Sequence, residues 1–167
     1  MKINKKADAV CMLQGSREYR NLRAVCMLHQ TNEGVLIRMN VRGFPIPNRI
    51  RCNQPIVAFH IHEGKSCTGN SRNPFADAKG HYNPNNCSHP YHAGDLGNLF
   101  INRNGSAFMS MLNDRFTVEE VLGRVMILHQ DLDDFKTQPS GNSGEMIACG
   151  VIRAFTNNRP QPYSQNK

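Results

Sequence analysis

The stretch "VLIRMNVRG", residues 35–43, decides the fold class. Val35, Ile37, Met39 and Val41 fall on one side of an extended chain, with Arg38, Asn40 and Arg42 on the other. Successive side chains of a strand point to opposite faces. A period of two therefore marks a strand with one face on a core and one in water.

Upstream, residues 7–13 (ADAVCML) and 22–30 (LRAVCMLHQ) read as two further strands around a link containing Gly15 and Ser16. Downstream, the two prolines of "GFPIPN" interrupt regular pairing, and "PIVAFHIH" then runs to His62 as the next strand. "LGNLFIN" and "AFMSMLN" flank "RNGS", whose Asn-Gly step predicts a hairpin. "GRVMILHQ" and "MIACGVIRAF" complete the set, and in "FTVEEVLG" Thr117 and Glu120 have the spacing of a capping box for one helical turn. Eight short strands between turn signals predict an all-β protein, an antiparallel sandwich or barrel. Two aperiodic loops, residues 63–95 and 131–145, are rich in Gly, Asn, Pro and Ser. Loops beyond about 12–15 residues in a compact domain are usually functional or disordered, so something must hold the first in place.

A chain of 167 residues has the length of one domain. The expected boundaries are a flexible start over 1–6, a folded domain over 7–156 and a disordered tail over 157–167, which is polar and carries prolines. No apolar run approaches the ~20 residues of a membrane helix. The start, "MKINKKADAVCMLQG", is basic, but Asp8 interrupts its apolar segment, unlike the roughly 7–15 apolar residues of a secretory signal. The expected location is cytoplasmic as the sequence stands, or secreted if a signal has been removed. A net charge of +7 raises the question of nucleic acid, yet the densest basic stretch (Arg38, Arg42, Arg49, Arg51) has no interleaved aromatics. The expectation is a solvated basic surface with no nucleic-acid or membrane partner, whose field would draw in a small anion.

The histidines carry the chemistry. His60 and His62 are two apart on a predicted strand and project from the same face, with Ile61 between them turned to the core. The segment "GHYNPNNCSHPYHAGD", residues 80–95, adds His81, His89, His92 and Asp95 within the first long loop. Three neutral imidazoles and one carboxylate form a tetrahedral N3O set that suits zinc, and zinc would order a loop that otherwise has no reason to be ordered. His129, at the end of "VMILHQ", completes a pool of seven candidate ligands.

The blocks "FHIHEGKSC", "GHYNP", "HAGDLGNL", "VMILHQDLDD" and "GNSGEMIACGVI" closely resemble those of copper/zinc superoxide dismutases, in the same order, over residues 7–155. The resemblance implies an eight-stranded antiparallel Greek-key sandwich or barrel with two long functional loops. It also implies disproportionation of superoxide to O2 and H2O2 at a histidine-bridged centre. By the same resemblance His60, His62 and His129 match the copper ligands, and His81 matches the histidine that bridges copper and zinc. His89, His92 and Asp95 match the other zinc ligands. Asp133 matches the aspartate that ties the two ligand sets together. An all-imidazole site suits copper.

Six cysteines stand at positions 11, 26, 52, 67, 87 and 149. The resemblance implies a disulfide between Cys67 and Cys149. Cys11 and Cys26 sit at equivalent places in the first two strands and are expected as buried free thiols inside the barrel, with a second disulfide as the alternative. Cys87, two residues before His89, is an alternative zinc ligand, with His89 favoured because its distance from His81 matches the family. The redox state of Cys52 stays open.

The sequence departs from the family's pattern at three places. The spacing from His89 to His92 is pinched. The segment from His62 to Cys67 is short, so a monomer or a non-standard homodimer is expected. Met146, preceded by Glu145, stands where the family carries an arginine that guides superoxide, and the loop after His129 is abbreviated. A slower enzyme is therefore expected, with Lys65 or Lys136 as candidate substitutes for the arginine. The competing readings are a copper- and zinc-binding module for metal buffering or delivery, and a sandwich stabilised by zinc alone. Neither a CxxC domain nor a CxC tail, the usual marks of copper-delivery relatives, occurs in the chain.

Overall fold

The computed structural model describes residues 6–46 and 54–155. The expectations for the tail and for all but the last residue of the start fall on residues outside this range, as do Arg49, Arg51 and Cys52.

The described chain is all-β. Its strands are β1 (Ala9–Gly15), β2 (Arg23–Thr31), β3 (Gly34–Arg42), β4 (Ile56–His62), β5 (Asp95–Phe100), β6 (Ala107–Asn113), β7 (Val125–His129) and β8 (Met146–Ala154). They form one sheet in the order β5-β4-β7-β8-β1-β2-β3-β6, with antiparallel pairing throughout. The sheet curls into a nearly closed barrel. β3 and β4 are consecutive in the chain but far apart in this order, and so are β6 and β7. The chain thus crosses over the barrel between them in Greek-key fashion.

Period-two patterning builds the core. Ala9, Cys11 and Leu13 of β1, Ala24, Cys26 and Leu28 of β2, and Val35, Ile37, Met39 and Val41 of β3 all turn inward and are buried. Phe59 and Ile61 of β4 meet Met126 and Leu128 of β7 in the same cluster. Each large apolar side chain buried this way stabilises the fold by about 1.5–3 kcal/mol. Cys11 and Cys26 are direct partners across β1 and β2, fully buried and free. Burial pushes the Cys11 thiol up to about 12, so the pair packs as small apolar residues. The capping box also forms: the Thr117 hydroxyl accepts from the Glu120 amide, and the Glu120 carboxylate accepts from the Thr117 amide. The helical turn α1 (Val118–Val121) follows.

The hairpin expected at "RNGS" forms only as a turn. The Gly105 amide donates to the Asn102 carbonyl (2.9 Å), and the Asn102 amide donates to the Ser106 carbonyl (2.7 Å). Beyond it the two strands part, β5 to β4 and β6 to β3, and become the open edges of the sheet. The continuous ladder of β6 on β3, from Val35–Asn113 to Val41–Ala107, outweighs a local hairpin.

β4 and β7 depart from simple alternation, because nearly every residue in them is buried. Their inner faces line the core, and their outer faces lie under the two long loops. The first loop is organised by a 3-10 turn (Ala76–Ala78), by the disulfide Cys67–Cys149, and by an isolated bridge between His62 and His81. Phe75 and Ala78 pack from this loop onto Val125, Ile127 and Cys149.

Candidate metal centre

The outer faces of β4 and β7 bring His60, His62 and His129 together, and the loop lays His81 beside them. Their ligand atoms all lie within 4.8 Å of one another, and all four residues are buried. His81, His89, His92 and Asp95 form a second buried group with the same closeness, and His81 belongs to both. Asp95 is not a loop residue, as the sequence suggested. It opens β5 and pairs with His60, so one end of β4 anchors both groups.

Hydrogen bonds fix which nitrogen of each ring is free. In His62, Nδ1–H donates to the Lys79 carbonyl (2.8 Å). Nδ1–H of His129 reaches the Gly144 carbonyl (3.4 Å) and the Ser143 hydroxyl (3.2 Å). Both rings therefore present Nε2 lone pairs, and these two atoms stand 3.3 Å apart. Lys79 adopts φ 63° and ψ −152° to aim its carbonyl at His62, a backbone region that side chains rarely enter. His60 donates from Nε2 to Asp133 Oδ2 (2.9 Å), and His89 donates from Nε2 to Asp133 Oδ1 (2.9 Å). Asp133 thus joins the two groups, as an outer carboxylate that orients ligands.

The atoms left over settle whether metals fit. His60 Nδ1, His81 Nε2 and His89 Nδ1 are buried without a hydrogen-bond partner. The His89 Nδ1 lone pair faces Asp95 Oδ2 at 3.2 Å, and His92 Nδ1 approaches the same oxygen at 3.2 Å. His81 Nδ1 donates to Asp95 Oδ1 (2.6 Å), a hydrogen bond whose place an ion between the two atoms would take. Lone pairs facing each other or a carboxylate in a buried space repel unless a cation lies between them. Both groups therefore fit metal ions, one with four nitrogens and one with three nitrogens and a carboxylate.

Electrostatics keep His60, His62, His129 and Asp95 in the ligating form. Burial, and then the neighbouring His81 and His129, holds His60 and His62 well below the usual imidazole range. Burial and His81 bring His129 down to about 4. Burial alone would raise Asp95, but the hydrogen bond and charge of His81, with His92 and His89 behind it, outweigh this and lower it.

Several contributors left no sequence signal. The Gln138 side chain takes the His89 backbone with both ends: its amide donates to the His89 carbonyl (2.6 Å), and its oxygen accepts from the His89 amide (3.0 Å). Gly141, at φ 69°, crosses directly over the Asp133–His89 bond, and a Cβ there would fall 1.9 Å from Asp133 Oδ1. Cys87 stays outside. Its side chain is exposed, and it belongs to neither group.

A cavity of about 1070 Å³ opens onto His62, His81 and His129. Met146 lines it, with Glu145 beside it. Among the described residues its basic lining is Arg17, Arg72 and Lys79, and neither Lys65 nor Lys136 belongs to it.

The family model described as copper/zinc superoxide dismutase matches residues 24–152. The chain belongs to the copper/zinc superoxide dismutase family. A copper-zinc superoxide dismutase of Aquifex aeolicus is 37% identical over 140 residues, covering 75% of this chain and 76% of the relative. That of Legionella pneumophila is 32% identical over 131 residues, covering 74% of each. Among solved structures, the clock protein EA4 superposes with a TM-score of 0.72 at 23% identity, over 93% of this chain and 99% of that one, a likeness of fold. The cofactors of the superoxide dismutase family, copper and zinc, match the two donor sets described above. Among the described residues no helix is long and apolar enough to cross a membrane.

Proposed function

We propose that this protein disproportionates superoxide, with copper held by His60, His62, His81 and His129 and zinc by His81, His89, His92 and Asp95. The observation that carries the reading is the shared His81. It offers Nε2 to one donor set and Nδ1 to the other, and Nε2 has no other partner. When bound, copper supplies one-electron exchange, so that two superoxide anions and two protons become O2 and H2O2. The chain's own residues hold that chemistry in place. Asp133 and the Lys79 carbonyl fix the ring orientations. His81 can hold a proton at Nε2 where the cavity meets the rings, and so deliver it to the product. The buried neutral imidazoles stay available as donors through the physiological range.

Metal stoichiometry, followed by dismutation before and after copper loading of the zinc-bound protein, tests this. The expected result is activity that appears with copper and disappears when copper is chelated. Tight copper binding without dismutation would instead establish the metal-buffering or delivery module. Zinc uptake alone would establish the zinc-stabilised sandwich.

The enzyme is a slow member in this reading. Around the cavity, Arg17, Arg72 and Lys79 are offset by Glu18, Glu63 and Glu145, and Met146 contributes no charge. Focused positive charge raises on-rates by about 10–10³. Met146→Arg is therefore expected to increase kcat/KM roughly tenfold at low ionic strength, with the gain shrinking as salt screens it. Stopped-flow decay of superoxide across a salt series reads this out, and an unchanged rate at the lowest salt ends the argument.

A further inference from the structure

The close spacing of His89 and His92 requires the chain to turn sharply between two ligands, and Arg115 is built into that turn. Its Nη1 donates to the His92 carbonyl (3.0 Å) and the Pro90 carbonyl (3.5 Å), and its Nη2 donates to the Asp95 carbonyl. The residue is placed from outside the loop, in the corner after β6, where its own amide donates to the side chain of buried Asn113 (2.9 Å). A tight turn that aims three carbonyls at one point concentrates negative charge, and of the three the His92 carbonyl also accepts from the Asp95 amide (3.2 Å). A guanidinium answers all of them at once, because its donors lie in one rigid plane, whereas an ammonium presents a point charge. Gln138 grips the His89 backbone with both ends of its amide. Residues 89–95 are thus held by two side chains remote in sequence.

We propose that Arg115 is the positioning residue of the His81, His89, His92 and Asp95 group, closing its shortened loop into ligating geometry. This rests on the assignment of zinc to that group. Two effects of the guanidinium have opposite signs, which makes the inference decidable. As a cation near a cation site it repels the metal, so its removal by Coulomb's law alone would tighten zinc. As a clamp on the backbone of His92 and Asp95 it prepays the ordering of the loop, so its removal weakens zinc. Outer partners of metal ligands typically change affinity by about 10–100-fold, and the clamp is expected to dominate.

The test uses the full chain and two variants, Arg115→Met and Arg115→Lys. Arg115 is an exposed residue, so neither change opens the core. Zinc affinity is measured by competition with a chromophoric chelator. Cobalt in the same group reports ligand geometry through its d–d absorption, and thermal unfolding of the metal-free protein reports stability. Arg115→Met is expected to weaken zinc about tenfold or more and to lower the cobalt band intensity. Arg115→Lys, which keeps the charge and loses the fork, is expected to fall between it and the parent. Copper affinity is expected to stay unchanged. Equal or tighter zinc binding in Arg115→Met overturns the proposal. So does lower stability with a parental cobalt spectrum, which would make Arg115 a structural residue only. If Arg115→Met fails to fold, Arg115→Lys alone decides: parental zinc affinity overturns the proposal and weaker affinity upholds it. A parent chain that takes up no zinc at this group would remove the assignment and this inference together, whereas a parent that binds and variants that match it remove only the inference.

Discussion

Asp133→Asn is expected to disable one of the two ligand groups, although Asp133 touches neither metal position. Its two oxygens each accept an Nε2–H, one from His60 and one from His89. Those bonds force both rings to keep Nδ1 as a lone pair, and these are two of the buried atoms left without a partner. An amide has the same shape but only one acceptor oxygen. Whichever histidine faces its NH2 must move its proton to Nδ1 and so present N–H where a lone pair is required. Affinity for the ion on that side is expected to fall about 10–100-fold while the other side changes less. Separate titrations of copper and zinc into the metal-free variant check this. Parental affinity for both ions would mean that the carboxylate does not set the tautomers.

The second large effect concerns stability. Cys67 and Cys149 close a loop with a sequence separation of 82. Chain entropy then assigns the bond about 4–5 kcal/mol of stabilisation, against a typical total of about 5–15 kcal/mol for a domain. The double variant Cys67→Ser, Cys149→Ser is expected to unfold at a much lower denaturant concentration when both proteins are compared without metal. The same bond ties down the loop that ends at Lys79, whose carbonyl orients His62. Weaker copper retention is therefore expected alongside the lower midpoint. A midpoint equal to the parent's would show that the loop's other contacts, the Phe75 and Ala78 packing and the His62–His81 bridge among them, hold it without the bond.

Strands that bury one face were legible because alternation survives in the sequence wherever that holds, whereas β4 and β7, buried throughout, showed as nearly unbroken apolar runs. Val35, Ile37, Met39 and Val41 are the clearest case, and all four are core residues. The Asn-Gly step at 104–105 misled because a turn signal is local, while the choice of partner strand depends on ladders far away in the chain. The closeness of the histidines was legible in part. Side-chain type and spacing mark ligand candidates, and the structure does bring all seven candidates together. Arg115, Gln138 and the Lys79 carbonyl were not legible. The Lys79 carbonyl is a backbone atom, which every residue possesses, and the Arg115 and Gln138 side chains reach backbone atoms far away in the sequence, so residue spacing announces none of them. Which basic residues line the cavity, Arg17, Arg72 and Lys79, is likewise set by contacts remote in the sequence.

β4 and β7 each serve two masters, with one face in the barrel and the other under the loops. This division separates two levels of cooperativity. The barrel is packed by apolar burial, whereas the loops combine a disulfide and a small apolar cluster with polar contacts that converge on the ligand rings. On the proposed assignment, binding free energy of the ions goes into ordering the loops. A newly made chain can complete its barrel first and wait, with a half-finished outer layer, for its metals to arrive. On the proposed assignment, maturation is a late, local event, and a protein stripped of its ions is expected to relax into a folded precursor instead of an unfolded chain.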